Sequence, residues 1–161
     1  MIISAPGANV DFIDGQIEEA LSSLTERDFL LLQLEIPPDT VRAAMTKART
    51  LGIRSILNLS PVTAEGAELA NLADYVIMNT SEMTALAEAS EKFAGELEGL
   101  IGASSTSGQV YVVTKGKDGA IAVEPGGVHQ VAAPDIVPVD TVGAGDTFAG
   151  YFAAGPIMGW I

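Results

Sequence analysis

Short apolar runs alternate along the chain with stretches in which apolar residues recur at helical spacing. Phe29–Leu34 is an apolar run interrupted only by Gln33, which is typical of a strand covered on both faces of a sheet. After this run, Asp39 can cap a helix that ends near Gly52 and carries one apolar face. The residues of that face are Val41, Ala44, Met45 and Ala48.

The same pattern of apolar runs and helical spacing predicts elements in the rest of the chain. It predicts further strands at Ile2–Ser4, Ser55–Leu59, Tyr75–Met78, Val110–Thr114, Ala120–Glu124 and Val128–Ala132. Ala120–Glu124 is predicted to pair back on Val110–Thr114 as a hairpin, and a second turn leads into Val128–Ala132. The pattern predicts further helices at Asp14–Leu24, Leu69–Ala73, Ser81–Ala89, Glu91–Ile101 and Ala144–Ala154, and a loop rich in serine and glycine at Gly102–Gly108.

Repeated strand–helix units predict an α/β fold in three α/β/α layers, with a mostly parallel sheet between helices. The 161 residues are enough for one core, so we interpret residues 1–161 as a single domain. In such sheets, ligands bind beyond the carboxyl ends of the strands. Polar residues follow or end the predicted strands more often than a core needs, at Asn9, Glu35, Asn58, Asn79, Glu82, Thr114 and Asp140.

The charge balance narrows the possible partners. The chain has 21 acidic and 8 basic residues, for a formal net charge of −13. Nucleic acid and an anionic membrane are therefore unexpected partners, because both bind basic surfaces. A phosphate site in this chain would depend on backbone N–H groups and metal ions. With no cysteine and a single histidine, His129, a thiolate site or a histidine-rich metal site is excluded.

The two ends of the chain suggest a location. Met1–Gly7 lacks the basic segment and the apolar run of a secretory signal peptide. The tail Phe148–Ile161 has 14 residues, interrupted by Pro156, and is too short to span a bilayer. We therefore expect a cytoplasmic protein with no membrane partner.

The stretch DTVGAGDTFAG, residues 140–150, combines a glycine turn with two carboxylates. Gly143 and Gly145 allow close approach of a ligand, and the start of the following helix presents free N–H groups to an anion. Asp146 at the rim could accept a proton from a hydroxyl group, and Asp140 could help to hold a cation. The alternative is a plain tight turn in which Asp146 only caps the helix.

The whole stretch closely resembles the C-terminal signature of the ribokinase (pfkB-type) carbohydrate kinase family. It fits neither a Walker loop nor a dinucleotide-binding fingerprint. Upstream stretches resemble the family in the same order: PGANVDF at 6–12, LLLQLEIP at 30–37, ILNLSP at 56–61, MNTSE at 78–82 and VVTKGKDGA at 112–120. The resemblance implies a ribokinase-like fold and transfer of the γ-phosphoryl group of ATP to a sugar hydroxyl, with ribose as the expected sugar.

The resemblance also implies roles for individual residues. Asp146 would be the general base and would bind the substrate hydroxyl, and Glu35 would bind sugar hydroxyls. The glycine turn would form the anion hole for the transferring group and touch ATP. The amide donors of that hole would be Ala144, Gly145 and Asp146, and Gly143 belongs to the same catalytic turn.

Further roles concern the nucleotide and the ions. Asn79 and Glu82 match the family's Asn-x-x-Glu motif, which positions Mg²⁺ and its water, and Asn79 would also contact the nucleotide. Thr114 and Gly116 match strand-end residues that touch the ATP phosphates. Asp140 and the carbonyl group of Val142 match part of a monovalent-cation site, usually occupied by K⁺.

Simpler interpretations of these residues stay open. Glu35 could be a solvated strand end, and Asn79 or Ser81 could only cap the following helix. Thr114 could be an ordinary strand residue that begins a turn, and Asn58 could fix a loop or touch the nucleotide. His129, on a hairpin strand, is interpreted as structural.

The chain also departs from the family pattern. Family members have a long segment before the equivalent of Ile2, which carries the first strands, a lid and several sugar ligands. At the other end, Pro156 is expected to stop the last helix. We therefore expect an incomplete ribokinase-like fold with an exposed sheet edge, a homodimer that covers it, and impaired sugar phosphorylation. The alternative is a catalytically inactive, kinase-derived binding protein that keeps weak nucleotide or phosphate binding.

Overall fold

The computed structural model describes residues 7–11 and 15–158, and its centre is a six-stranded sheet. The strands lie in the order β1-β2-β3-β4-β5-β6. The pairings from β1 to β4 are parallel, and β5 and β6 join antiparallel. The strands are β1 Phe29–Leu32, β2 Arg54–Asn58, β3 Tyr75–Asn79, β4 Val110–Thr114, β5 Ala120–Glu124 and β6 Gly127–Val131. The predicted mostly parallel α/β sheet is confirmed.

Six α-helices and three short 3₁₀ turns surround this sheet in the described part of the chain. The helices are α1 Gln16–Leu21, α2 Pro38–Thr50, α3 Ala64–Leu69, α4 Thr80–Ala89, α5 Leu97–Ser107 and α6 Ala144–Met158. The 3₁₀ turns are Gly7–Val10, Glu91–Phe93 and Gly116–Asp118. Within the described residues, no helix combines the length and the apolar character needed to cross a membrane.

The larger core lies on one face of the sheet, here called the first face. Helices α2 to α5 pack there, and the apolar face predicted for α2 is buried as expected. Tyr111, Phe93 and Leu57 are among the largest fully buried side chains of this core. The rings of Phe93 and Tyr111 meet edge to face, with centroids 5.7 Å apart.

The opposite, second face of the sheet is covered by α6. Ala149 is buried against a strip formed by Ile56, Ile77 and Val112, one residue from each of three adjacent strands. Phe148 and Phe152 pack at the border of the same cluster. Helices on both faces give the three α/β/α layers that the sequence predicts.

Two predicted elements near the middle of the chain are wrong. The Ser- and Gly-rich segment Gly102–Gly108 is not a loop, because α5 continues to Ser107 and Gly108 ends it with a left-handed backbone. The serine and threonine hydroxyls donate to carbonyl groups of the preceding turn, so their polarity is satisfied within the helix. The helix predicted at Glu91–Ile101 is broken, because Gly95 and Glu96 both have positive φ.

Three helix boundaries also differ from prediction. The helix expected at Leu69–Ala73 lies earlier, because Thr63 caps α3 by accepting a hydrogen bond from the Gly66 N–H group. Pro38 takes the first position of α2, so Asp39 lies inside its first turn and makes no cap. Pro156 does not stop α6, which continues two residues further to Met158, because the proline ring fixes φ at a helical value although it removes a hydrogen bond to the preceding turn.

The beginning of the chain is described only in part. The strand predicted at Ile2–Ser4 and the predicted cap Asp14 lie outside the described residues. The helix that Asp14 was predicted to begin is shorter than expected, and α1 buries Leu21.

Candidate active site

A cleft of about 160 Å³ opens at the carboxyl ends of β2, β3 and β4, where the start of α6 meets them. The register of the sheet places Asn79 directly beside Thr114. Among the described residues, the lining of the cleft holds two carboxylates and no basic side chain. The lining residues are Asn58, Ser60, Ile77, Met78, Asn79, Glu82, Thr114, Gly143, Gly145 and Asp146.

Asn79 and Glu82 form a reciprocal cap at the start of α4. The Glu82 N–H group donates to Asn79 Oδ1 at 2.9 Å, and the Asn79 N–H group donates to Glu82 Oε2 at 2.7 Å. The capping interpretation of Asn79 is therefore confirmed. Both side chains also line the cleft, so capping holds them in place there and leaves Glu82 Oε1 without a protein hydrogen bond among the described residues.

The glycine turn places the start of α6 at the cleft. Gly143 has a φ of 72°, a left-handed conformation that favours glycine. The Thr147 N–H group donates to the Gly143 carbonyl at 2.9 Å and closes the first helical turn. The N–H groups of Gly145 and Asp146 precede that bond and have no carbonyl partner in the described structure.

Ala144 differs from the other residues of the predicted anion hole. Its N–H group donates to the Thr141 carbonyl at 3.2 Å, and it is absent from the residues that line the cleft. In this structure, two of the three predicted amide donors, those of Gly145 and Asp146, are available to an anion.

Thr114 lines the cleft at the end of β4. Its hydroxyl group donates to the Met78 carbonyl at 3.4 Å, a long contact that holds the side chain toward β3. Gly116 follows with a φ of 56° at the start of a 3₁₀ turn, outside the lining of the cleft.

Three other predicted residues also lie outside the cleft. Glu35 is exposed after β1, and its N–H group donates to the side chain of Gln33. Asp140 and Val142 form one turn, in which Asp140 Oδ1 accepts a hydrogen bond from the Val142 N–H group at 2.9 Å. The structure therefore brings the metal and base candidates together with the phosphate candidates Thr114, Gly143 and Gly145. It leaves Gly116, Ala144 and the sugar and monovalent-cation candidates outside the cleft.

Three further residues line the cleft, Ser60, Ile77 and Met78, and none of them was assigned a role from the sequence. Ser60 lies two residues beyond Asn58, in the segment that follows β2. A polar residue just past a strand end was the signal that could have identified it. His129 pairs with Glu124 on the exposed β5–β6 hairpin, with 2.8 Å between Nε2 and Oε1. It is not among the residues that line the cleft.

Comparisons with known proteins identify the family of this chain. The family profile of the pfkB family carbohydrate kinases matches residues 2–160. The chain is 29% identical to a ribokinase of Lactococcus lactis over 160 residues, covering 96% of this chain and 49% of the relative. It is 32% identical to a ribokinase of Bacillus subtilis over 154 residues, covering 94% and 49%. The chain thus spans about half the length of the curated relatives it matches.

Solved structures show the same fold. The ribokinase of Cryptococcus neoformans in complex with ADP superposes with a TM-score of 0.78 at 28% identity, covering 99% of this chain and 55% of that one. The ribokinase of Arabidopsis thaliana complexed with ribose and ATP gives a TM-score of 0.77 at 25% identity, covering 99% and 53%.

Proposed function

The chain belongs to the pfkB family of carbohydrate kinases, and from this premise we propose that its cleft is the phosphoryl-transfer part of an ATP-dependent sugar kinase. One observation carries the proposal: Asp146, the glycine turn and the Asn79–Glu82 pair all line a single cleft. A base, an anion-binding helix start and oxygen donors for a metal are the parts that phosphoryl transfer needs.

In the proposed reaction, the sugar hydroxyl oxygen forms a bond to the γ-phosphorus of ATP. The bond from that phosphorus to the bridging oxygen of the β-phosphate breaks, and ADP leaves with the bonding electron pair. The hydroxyl proton passes to the carboxylate of Asp146, which acts as general base from the rim of the cleft. The N–H groups of Gly145 and Asp146, at the positive end of the α6 dipole, stabilise the charge on the transferring group.

The side-chain oxygen atoms of Asn79 and Glu82 suit Mg²⁺. Mg²⁺ prefers oxygen ligands and keeps several waters, binding through one or two carboxylates and substrate phosphates. Glu82 Oε1 and the amide oxygen of Asn79 would hold such a hydrated ion. When bound, Mg²⁺ neutralises charge on the phosphates. The lining has no basic side chain, so this contribution and the backbone amides together replace lysines.

The remaining assignments extend the proposal to the substrates and to K⁺. Thr114 and Gly116 would contact the ATP phosphates, and Glu35 would accept hydrogen bonds from the sugar. Ribose is the proposed sugar, since ribokinases are among the relatives and one neighbouring structure contains ribose and ATP. Asp140 and the Val142 carbonyl, which lie in one turn, would supply two oxygen ligands to K⁺.

A second candidate function is nucleotide binding without turnover. The observation that favours it is the position of Glu35, which is exposed and outside the cleft. In this case the chain would bind Mg²⁺–nucleotide but would not transfer its phosphoryl group to a sugar.

The test of the proposed function compares the unmodified chain with Asp146→Asn. We expect the unmodified chain to form labelled sugar phosphate slowly from ribose and ATP labelled at the γ-phosphate. Asp146→Asn should lower this rate by about 10²–10⁴-fold, because the general base is lost. Affinity for Mg²⁺–ADP, measured by calorimetry, should persist. Asp135→Asn, an exposed aspartate outside the cleft, is the matched control and should keep full turnover.

Three results separate the possibilities. Equal turnover of the unmodified chain and Asp146→Asn would contradict the role of this base. Binding of Mg²⁺–ADP without any product would favour the second candidate. A chain that binds no nucleotide at all would contradict both.

A further inference from the structure

Ser60 is a hydroxyl-bearing residue that borders the cleft on a fixed backbone. Its N–H group donates to the Asn58 carbonyl at 2.9 Å, and its own carbonyl accepts a hydrogen bond from the Leu34 N–H group at 3.2 Å. The residue is half-buried and lines the cleft. Among the described residues, its hydroxyl group has no hydrogen-bond partner, so the backbone is anchored on both sides while the side chain is free to meet a ligand.

The order of the strands places Ser60 between the residues proposed to bind the two substrates. Along the carboxyl edge of the sheet, Glu35 follows β1, Ser60 follows β2, Asn79 ends β3 and Thr114 ends β4. If nucleotide phosphates lie at Thr114 and the metal at Asn79, the phosphate chain runs from β4 toward the sugar side at β1. Its terminal phosphoryl group is then the part that reaches β2.

We propose that the Ser60 hydroxyl donates a hydrogen bond to the terminal phosphoryl group of a bound nucleoside triphosphate. The inference rests on the proposed function, and it adds a ligand contact that is specific to the group being transferred. A neutral donor suits a cleft with two carboxylates and no basic side chain among the described residues. Because two backbone hydrogen bonds hold the segment in place, little ordering is needed when the phosphoryl group arrives.

The test measures the affinity of each variant for two nucleotides. Calorimetry gives the affinity of the unmodified chain, Ser60→Ala and Ser60→Thr for Mg²⁺–ADP and for the Mg²⁺ complex of the β,γ-imido analogue of ATP. Loss of one hydrogen bond to a charged group should weaken binding of the triphosphate analogue by about tenfold in Ser60→Ala. Binding of ADP, which lacks the terminal group, should be unchanged, and Ser60→Thr should restore the analogue's affinity.

Ser81→Ala is the matched control, since Ser81 is an exposed serine of α4 outside the lining. It should change neither affinity. Equal weakening of both nucleotides in Ser60→Ala, or no weakening of either, would overturn the contact while leaving the proposed function intact. An unmodified chain that binds neither nucleotide would overturn the proposed function and this inference together. Thermal unfolding of each variant identifies any loss that comes from misfolding.

Discussion

Tyr111 is a fully buried residue of β4 whose hydroxyl group requires a partner inside the protein. It donates to Gln109 Oε1 at 2.9 Å. The Gln109 amide nitrogen in turn donates to the carbonyls of Ala70 and Ala73, at 2.8 and 2.6 Å. One glutamine side chain thereby satisfies the phenol and joins the start of β4 to the turn before β3, so this polar group is compatible with a close-packed core.

Burial also raises the pKa of Tyr111 to about 12, whereas a tyrosine in an unfolded chain ionises near pH ~10. The folded chain therefore keeps a proton that the unfolded chain loses. The resulting contribution to stability is complete below the unfolded pKa and is lost as the pH rises through the folded pKa.

Tyr111→Phe should make the free energy of unfolding less dependent on pH between about 10 and about 12. The variant should also be less stable at neutral pH, because Gln109 loses the hydrogen bond from the phenol. Urea unfolding followed at several alkaline pH values measures both effects. Tyr151→Phe, at an exposed tyrosine, is the control and should keep the original slope. An unchanged slope in Tyr111→Phe would contradict the assigned cause.

Asn79 illustrates why two interpretations of one residue need not compete. Its side-chain oxygen caps α4, and the same side chain lines the cleft. The spacing of Asn79 and Glu82 is the spacing of a capping box. The three-residue spacing of this motif is therefore explained by helix capping, and it does not by itself identify a ligand.

Among the elements, α6 links the second core to the candidate site. Its first turn borders the cleft, and further along Ala149 and Phe152 pack on the sheet. Phe152 also meets Tyr75 edge to face, with ring centroids 5.7 Å apart. Since the helix is held by packing on the sheet, the position of Asp146 depends on apolar contacts away from the cleft.

Gly143 and Gly145, only two residues apart, should respond differently to alanine. Gly143→Ala places a side chain at a φ of 72°, which should cost about 1–2 kcal/mol of stability. Gly145→Ala meets no heavy atom within 4 Å and sits in a helix, so stability should be equal or higher. Its methyl group should nevertheless hinder anion approach and weaken Mg²⁺–ADP binding.

Thermal unfolding and nucleotide titration of the two variants provide the measurement, and each variant is the control for the other. A Gly143→Ala chain as stable as the unmodified chain would contradict the left-handed turn. A Gly145→Ala chain with full nucleotide affinity would contradict the anion-binding role of this helix start.

The error at α5 has an identifiable cause. Serine, threonine and glycine disfavour helices on average, so Gly102–Gly108 is interpreted as a loop. In the folded chain, buried Ser104 donates to the Gln109 carbonyl at 2.8 Å, and the neighbouring hydroxyls bond back to the helix. Tertiary packing of Leu100 and Ala103 into the first-face core outweighs the weak local preference.

At the scale of the whole molecule, β1 and β6 are the two outer strands of the described sheet. Leu31 lies in β1 opposite Ile56 of the second-face core, yet it is 40% exposed. An apolar outer strand of this kind is prone to pair with another chain. Oligomerisation through this edge therefore stays a prediction of the fold.

We expect the chain to form dimers through the β1 edge. Leu31→Lys should shift the equilibrium toward monomer, because a charge on an edge strand opposes pairing. Leu51→Lys, at a leucine of similar exposure (37%) just after α2, is the matched control and should leave the dimer intact. Sedimentation equilibrium over a range of concentrations measures the distribution. An unmodified chain that stays monomeric throughout would contradict the prediction.

The sequence by itself determined the alternation of strands and helices, the glycine turn before α6 and the polar strand ends, since each depends on residues close together in the chain. Only the tertiary structure decided which strand ends share a cleft. Strand order and register place Asn79 beside Thr114, and packing of α6 brings Asp146 to them. The same long-range contacts bring Ser60 in and leave Glu35 outside, because local periodicity carries no information about strand order or helix packing.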